Sequence, residues 1–432
     1  MLNVLVTSLC LQGNKGGPAL ALSLMSVIRR YLSSDARFCF VVPLWDFRLE
    51  QKWSLRYGVS VVPTVSVKDL LPPWQWQTRR MASTGALSRA MREADIIVDS
   101  SGIAFVGPPD RSGKSAILGA IANHLWTLLA SRYNKPLFRW TQSYGPFAGL
   151  FVPFIARREF ARAPFLMARG YVSHHRLRQL GVKCPVYEFP DVAFCLPAAK
   201  EEWAQTYLHG RVGVPSGKHL IGLSPSAVLR SYPSHMGAVG EVHIDFCASL
   251  LSRLLEPDWC GVLIPHTIRV NGPASACDLD VARQIFKQLS PALQEKVYLV
   301  EDDLDCRELK ALIGRMDFFV GARYHSLVAA LSMRVPTVAV GWHEKYPELL
   351  RFFGLEDTFV DARKDVPFSA MIGQVCRLFE QRMSLRNRIA DALPSVLQAV
   401  DESGRVFAEG VWQTMDKSFR AGDLSYGPSI GS

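Results

Sequence analysis

Apolar residues fall into short unbroken runs separated by longer stretches of helical spacing. Residues 2–7 (LNVLVT), 37–43 (RFCFVVP), 59–65, 94–99 (ADIIVD) and 186–190 are continuous rather than alternating, as in strands buried on both faces. Helical spacing predicts helices over 19–31, 147–165 and 169–182. A second series of strands follows at 220–223, 261–265, 296–300, 317–320 and 337–340. Strand runs alternating with helical runs predict βαβ units and parallel sheets. The segment 197–218 is polar, carries several Gly and Pro, and has no clear strand, which places a domain boundary there. The expected organisation is an N-terminal α/β domain over 1–200, a second over 215–362, helices over 363–415 packing back on them, and a disordered Gly/Ser-rich tail over 416–432.

In parallel sheets, ligands bind at the carboxyl ends of strands, so the loops there deserve reading. The densest stretch runs from 316 to 353, MDFFVGARYHSLVAALSMRVPTVAVGWHEKYPELLRFF. Arg323, Tyr324 and His325 follow one predicted strand and open a helix; His343, Glu344 and Lys345 follow the next. A helix start offers free N–H groups and a positive dipole end. Arg adds a two-pronged donor for phosphate or carboxylate, and His an acid or base near neutral pH. An Arg capping a sheet edge beside a core His is the bland alternative. The coincidence of the Gly turn, the Arg, the His and the strand end favours an anion site with an acid beside it.

Other strand-end loops carry Gly13-Asn14-Lys15-Gly16-Gly17-Pro18, Gln142 within Gln142-Ser143-Tyr144-Gly145-Pro146, Arg230 within 224–232, His266, and Glu301–Asp305. The first suits an anionic group or a tight Gly turn equally, and does not match the GxGxxG fingerprint. Gly113-Lys114-Ser115 lacks the earlier Gly of a phosphate-binding loop and lies at the end of an expected surface loop, 105–115, so that motif is rejected. The acidic run 301–305 reads better as a cap on the following helix than as a metal site, and no metal site is expected. The Phe-rich stretch 147–165, with Arg157, Arg158 and Arg162, has two readings: a core helix with a basic solvated face, or a membrane-surface helix.

At 432 residues with 49% hydrophobic and 20% charged, the chain is long enough for two or three domains with sizeable cores. A formal charge of +10 favours anionic partners: phosphorylated substrates, acidic glycans or an anionic membrane surface. No compact Lys/Arg run or RNA-binding signature points to nucleic acid. Nine scattered Cys without ligand spacing predict a reducing compartment and no structural zinc. The start of the chain has no basic segment before its apolar run, so no signal peptide is expected, and 116–130 is too short to span a bilayer. The expected location is cytoplasmic, with peripheral contact at the inner membrane face as an option.

GARYHSLVAALSMRVPTVAVGWHEK (321–345) carries the spacing Arg-x-His, then Ala, then Val-Pro, then Lys. With GNKGGPAL, DIIVDSSG, QSYGPF, ARGYVSHHRLRQLGV, FPDVAF, IGLSPS and VLIPH in order, it resembles the polysaccharide pyruvyl transferase family over roughly residues 2–360. Three places depart: Gly17-Pro18 replace an acidic pair, Arg169-Gly170 an Arg-Asp pair, and Ser100-Ser101-Gly102 a triple Gly. The resemblance implies a GT-B-like fold, with two Rossmann-like domains facing a cleft. It implies transfer of a pyruvyl group from phosphoenolpyruvate to a sugar or lipid-linked glycan as a ketal, with no cofactor. His325 would be the catalytic acid. Arg323, Arg230, Lys345 and Tyr324 would hold the donor, and Asn14, Lys15, Gln142 and His266 the acceptor. Two rivals are a nucleotide-sugar glycosyltransferase of the same fold, with Glu344 or Glu348 on the ribose, and a non-catalytic glycan-binding protein.

Overall fold

The computed structural model describes residues 1–64, 77–105, 113–230, 239–269, 277–363 and 367–423. The chain divides into two compact units: 1–9, 24–189 and 399–432 form one, and 10–23 with 190–398 form the other.

In the first unit the strands are β1 (Asn3–Thr7), β2 (Arg37–Pro43), β3 (Ser60–Thr64), β4 (Ile96–Asp99), β5 (Ile103–Ala104), β6 (Leu137–Arg139), β7 (Ser143–Tyr144), β8 (Leu166–Arg169) and β9 (Val186–Phe189). The main sheet runs β3-β2-β1-β4-β6, all parallel, with Thr7 opposite Asp99 and Asp99 opposite Arg139. Strand order reverses at β1, so the switch point lies between the ends of β1 and β4. One face packs Leu5, Val41, Ile97 and Leu137 on Met91 and Ala130. From the C-terminal helix Arg382–Asp423, Phe407 stacks on Trp140 at 3.9 Å and packs edge-on against Phe138 and Phe165. A satellite core joins Phe105, Tyr144, Val152, Phe160 and Leu177.

The second unit has β10 (His219–Ser224), β11 (Trp259–Leu263), β12 (Val297–Leu299), β13 (Phe318–Gly321), β14 (Thr337–Gly341) and β15 (Phe359–Asp361), in the order β12-β11-β10-β13-β14-β15 and all parallel. Its switch point lies between β10 and β13, where Ser224 pairs with Gly321. Both sheets are Rossmann-like.

Several expectations change in detail. The first helix starts at Gly16 rather than at 19, because Gly17 and Pro18 fit a first turn whose N–H groups need no helical partner. Phe105 is buried rather than part of a surface loop, and a helix already starts at Gly113; residues 106–112 lie outside the described residues. The polar 197–218 segment contains a helix, Glu201–Thr206, running into a π-helical turn, Tyr207–Val212. β15 was not foreseen, since its three residues end in Asp. The C-terminal helix continues to Asp423, past 416 where a tail was expected, and residues 424–432 lie outside the described residues. In the acidic loop, Asp305 and Glu308 form a capping box on the helix Cys306–Ile313, while Glu301 and Asp302 pair with Arg283 and Arg211. Among the described residues no helix is long and apolar enough to cross a membrane.

Candidate functional site

The second unit's switch point carries the strongest cluster. β13 ends at Gly321, where any Cβ would come within 2.7 Å of Leu327. Arg323 then takes an extended backbone and becomes the N-cap of the helix Tyr324–Ser332. Its guanidinium meets Asp278 as a fork: Nε donates to Oδ2 at 2.9 Å and Nη2 to Oδ1 at 2.5 Å. Asp278 is fully buried and also accepts the backbone N–H groups of Ala227 (2.8 Å) and Thr267 (2.9 Å). One carboxylate thus ties Arg323 to the loops after β10 and β11. The expected open fork is therefore half committed, and its Nη1 alone makes no hydrogen bond among the described residues.

Behind Asp278 lies His243, buried, its Nε2 accepting the N–H of Ser226 at 3.2 Å. That bond puts the ring proton on Nδ1. Burial, helped by the charge of Arg323, pushes its pKa down to about 4, so it stays neutral.

His325 sits in the first turn of the Tyr324–Ser332 helix, its side chain 13% exposed, with Nε2 3.5 Å from Asp191 Oδ2. Asp191 is buried and caps the turn Val192–Cys195 through Ala193 N–H. On the ring's other side is Gly16, where a Cβ would stand 2.2 Å from His325 Nδ1. Gly16 opens the helix Gly16–Tyr31, so two helix N-termini meet at this imidazole. Each contributes positive dipole potential; at the first of them the N–H groups of Gly16 and Gly17 are taken by Asn14, and Pro18 has none.

The loop before Gly16 is held by backbone bonds: Lys15 N–H donates to His266 O, Ile268 N–H to Gly13 O, and Asn14 bridges to Thr267. Asn14 Oδ1 accepts Gly16 N–H. Lys15 is 1% exposed with Nζ 2.6 Å from Asp303; burial lowers its pKa, and Asp303 works against that shift. His266 is buried, and burial followed by the positive charges of His325, Arg323 and Lys15 keeps its pKa well below the usual range. Lys345 lies over the rings of Tyr346 (5.3 Å), Tyr324 and Trp342 (5.9 Å each), so Tyr324 is a buried cushion for a cation.

Asn14, Lys15, His266, Arg323, Tyr324, His325 and Lys345 therefore belong to one neighbourhood of the second unit. Lys15 and His266, expected to bind the acceptor, are buried in the same neighbourhood as Arg323 and His325. The side chain of Arg230 lies outside the described residues. Sequence reasoning missed Asp278 and His243, and gave Asp303 of the acidic run 301–305 and Asp191 no role at the site. Asp191 stood in the quoted FPDVAF, but Asp278 had no motif around it.

Gln142 belongs to the first unit, at that sheet's switch point. Its Nε2 donates to Asp99 O at 2.8 Å. Around it, Thr7 Oγ1, Asp99 Oδ2, Ser100 Oγ, Ser101 Oγ, Thr141 Oγ1 and Gln142 Oε1 are buried without a hydrogen bond among the described residues. Asp99 Oδ2 is 3.8 Å from Arg139 Nε, and Oδ1 accepts Ser101 N–H. Ser8 and Thr141, beside these strand ends, hold positive φ of 66° and 36°. Unsatisfied buried polar atoms and strained backbone at one strand end mark a place where a polar ligand or water completes the bonding.

Three comparisons fit this architecture. The N-terminal domain of trehalose-6-phosphate phosphatase from Candida albicans superposes with a TM-score of 0.57 at 9% identity, covering 96% of this chain and 99% of that one. UDP-GlcNAc 2-epimerase from Neisseria meningitidis, bound to UDP-GlcNAc, gives 0.54 at 10% identity, covering 95% and 100%. At such identities the likeness speaks for the GT-B-type fold alone. The polysaccharide pyruvyl transferase family matches residues 14–344, a span that runs from the Asn14 loop through the Arg323–His325 helix start to Glu344. With the fold and that span in hand, the chain belongs to the polysaccharide pyruvyl transferase family.

Proposed function

We propose that the protein transfers the pyruvyl group of phosphoenolpyruvate to two hydroxyls of a sugar, forming a ketal and releasing phosphate. The observation that carries this is the meeting of two helix N-termini at His325, with the Arg323 guanidinium and Lys345 in the same neighbourhood. A donor with a phosphate and a carboxylate needs such a field. Arg323 Nη1 and Lys345 hold the two anionic groups; Asp278 keeps Arg323 aimed. His325 gives its proton to the methylene carbon, leaving an oxocarbenium-like centre at the adjacent carbon. A sugar hydroxyl attacks that carbon, the C–O bond to phosphate breaks, and a second hydroxyl closes the ketal. Of the two hydroxyl protons, one replaces the proton His325 spent and the other leaves with phosphate.

A sugar or glycan as acceptor rests on the family match. The fold also admits a nucleotide-sugar glycosyltransferase. Of the two acids that reading offers for the ribose, Glu348 is buried in its helix while Glu344 is half-buried, so the donor assay decides between the two.

The test is phosphate release from phosphoenolpyruvate over a panel of glycans and glycolipid intermediates. His325→Gln should keep donor binding and lose turnover by about 10²–10⁴-fold, the range for losing an acid–base group. An unchanged rate per folded molecule with a lowered melting point makes His325 structural. Release of nucleoside diphosphate from a nucleotide-sugar, with none of phosphate from phosphoenolpyruvate, selects the glycosyltransferase.

A further inference from the structure

The positive charge of this chain is concentrated. From Arg111 to Tyr187 there are twelve Lys and Arg and a single acid, Glu159. That is more than the whole chain's formal charge of +10. Glu159 is fully buried, held by His124 Nδ1 at 2.6 Å, Thr127 Oγ1 at 2.5 Å and Arg139. No carboxylate from this segment therefore reaches solvent, while Arg132, Arg157, Arg158, Arg162, Arg178 and Lys183 are exposed.

Large apolar side chains stand among those cations. The helices Gly113–Arg132 and Phe151–Phe160 pack together: Arg162 donates to Ser131 Oγ, and Glu159 ties one helix to the other. The inward side of the second is Val152, Ala156 and Phe160. Its outward side begins with Leu150 at 88% exposure, Phe151 at 66% and Phe154 at 56%, and Arg158 lies over the Phe154 ring. On the first helix, Ile121, Leu125 and Leu128 are exposed at i, i+4 and i+7, and Arg132 continues the stripe. Water-facing positions of a soluble helix are ordinarily polar. Here they are Ile, Leu and Phe bordered by Arg, the composition of helices that lie in a membrane interface.

We infer that this helix pair is a docking surface for an anionic lipid membrane, with Leu150, Phe151 and Phe154 entering the interface and Arg157, Arg158 and Arg132 on the headgroups. Phe151 and Phe154 can stack on a nucleic-acid base, but Leu150, Ile121, Leu125 and Leu128 offer no ring, and an acidic glycan has no hydrocarbon for any of them to enter. A bilayer satisfies both halves of the surface. The inference is independent of the pyruvyl-transfer reading.

The experiment is flotation of the full chain with phosphatidylcholine vesicles, with and without phosphatidylglycerol. Binding should require the anionic lipid and weaken as salt screens it. Replacing Leu150, Phe151 and Phe154 together by Ser should reduce partitioning at least 10-fold, as should Arg157→Glu with Arg158→Glu. The Ser variant should melt like the parent, since its altered side chains are exposed; the Glu variant also loses the bond from Arg157 Nε to Leu180 O, so its partitioning is read per folded molecule. Equal binding to neutral vesicles, parental binding by either variant, or tight binding to heparin or an oligonucleotide with none to vesicles overturns the inference.

Discussion

Replacing Asp278 by Asn tests the way the second unit builds its anion site. Each carboxylate oxygen has two donors: Oδ1 takes Ala227 N–H and Arg323 Nη2, and Oδ2 takes Thr267 N–H and Arg323 Nε. An Asn amide replaces one oxygen by NH2, so either orientation sets a donor against one backbone N–H and one guanidinium N–H. The guanidinium bond is worth about 1.5–3 kcal/mol, and a buried N–H left unsatisfied costs about 1–3 kcal/mol. Together they predict a loss of about 3–5 kcal/mol, the size expected when a buried pair loses one partner. For a unit of this size that lowers the melting temperature by roughly 6–20 °C. Scanning calorimetry reads that shift, and titration calorimetry with phosphoenolpyruvate reads the donor affinity, which should fall as Arg323 loses its aim. The double variant Asp278→Asn with Arg323→Met should recover part of the stability, because it removes the cation that Asn leaves buried. A stability loss below about 1 kcal/mol, or strict additivity of the two changes, would refute the account of Arg323 as a side chain held by one saturated carboxylate.

Two further outcomes follow from the same neighbourhood. Gly16→Ala forces a Cβ to within 2.2 Å of His325 Nδ1, so the ring must move. A stability cost of about 1–3 kcal/mol and a fall in turnover near 10²-fold are expected, and full activity in a normally melting variant removes the contact from the argument. His243 is neutral in the folded protein down to about pH 4, whereas unfolded it takes a proton near 6.5. Between those values the unfolded state binds more protons, so the contribution is complete above pH 6.5 and is lost as pH falls towards 4, by about 3 kcal/mol. Denaturation curves of the parent and His243→Gln over that range should converge as pH drops, and parallel curves count against it.

The strand runs at 2–7, 37–43, 94–99, 220–223 and 317–320 were legible because strands covered on both faces must be apolar throughout, whatever surrounds them. The Arg-x-His helix start was legible for a similar reason: a strand, a Gly turn and a helix are local, and all three lie within 317–332. Asp278 was not, because nothing near it in the chain says that Arg323, 45 residues on, will close on both its oxygens. Nor was the burial of Lys15, whose partner Asp303 belongs to a loop after another strand. Glu159 shows the limit best. In the sequence it is one acid among arginines; in the fold it is buried against His124, Thr127 and Arg139, which leaves its helix with no exposed carboxylate. Local pattern sets which segments become strands and helices, because backbone hydrogen bonding and apolar burial act on neighbours in the chain. Which charges are buried in pairs and which face solvent depends on residues brought together from far apart, and that is a property of the packed fold.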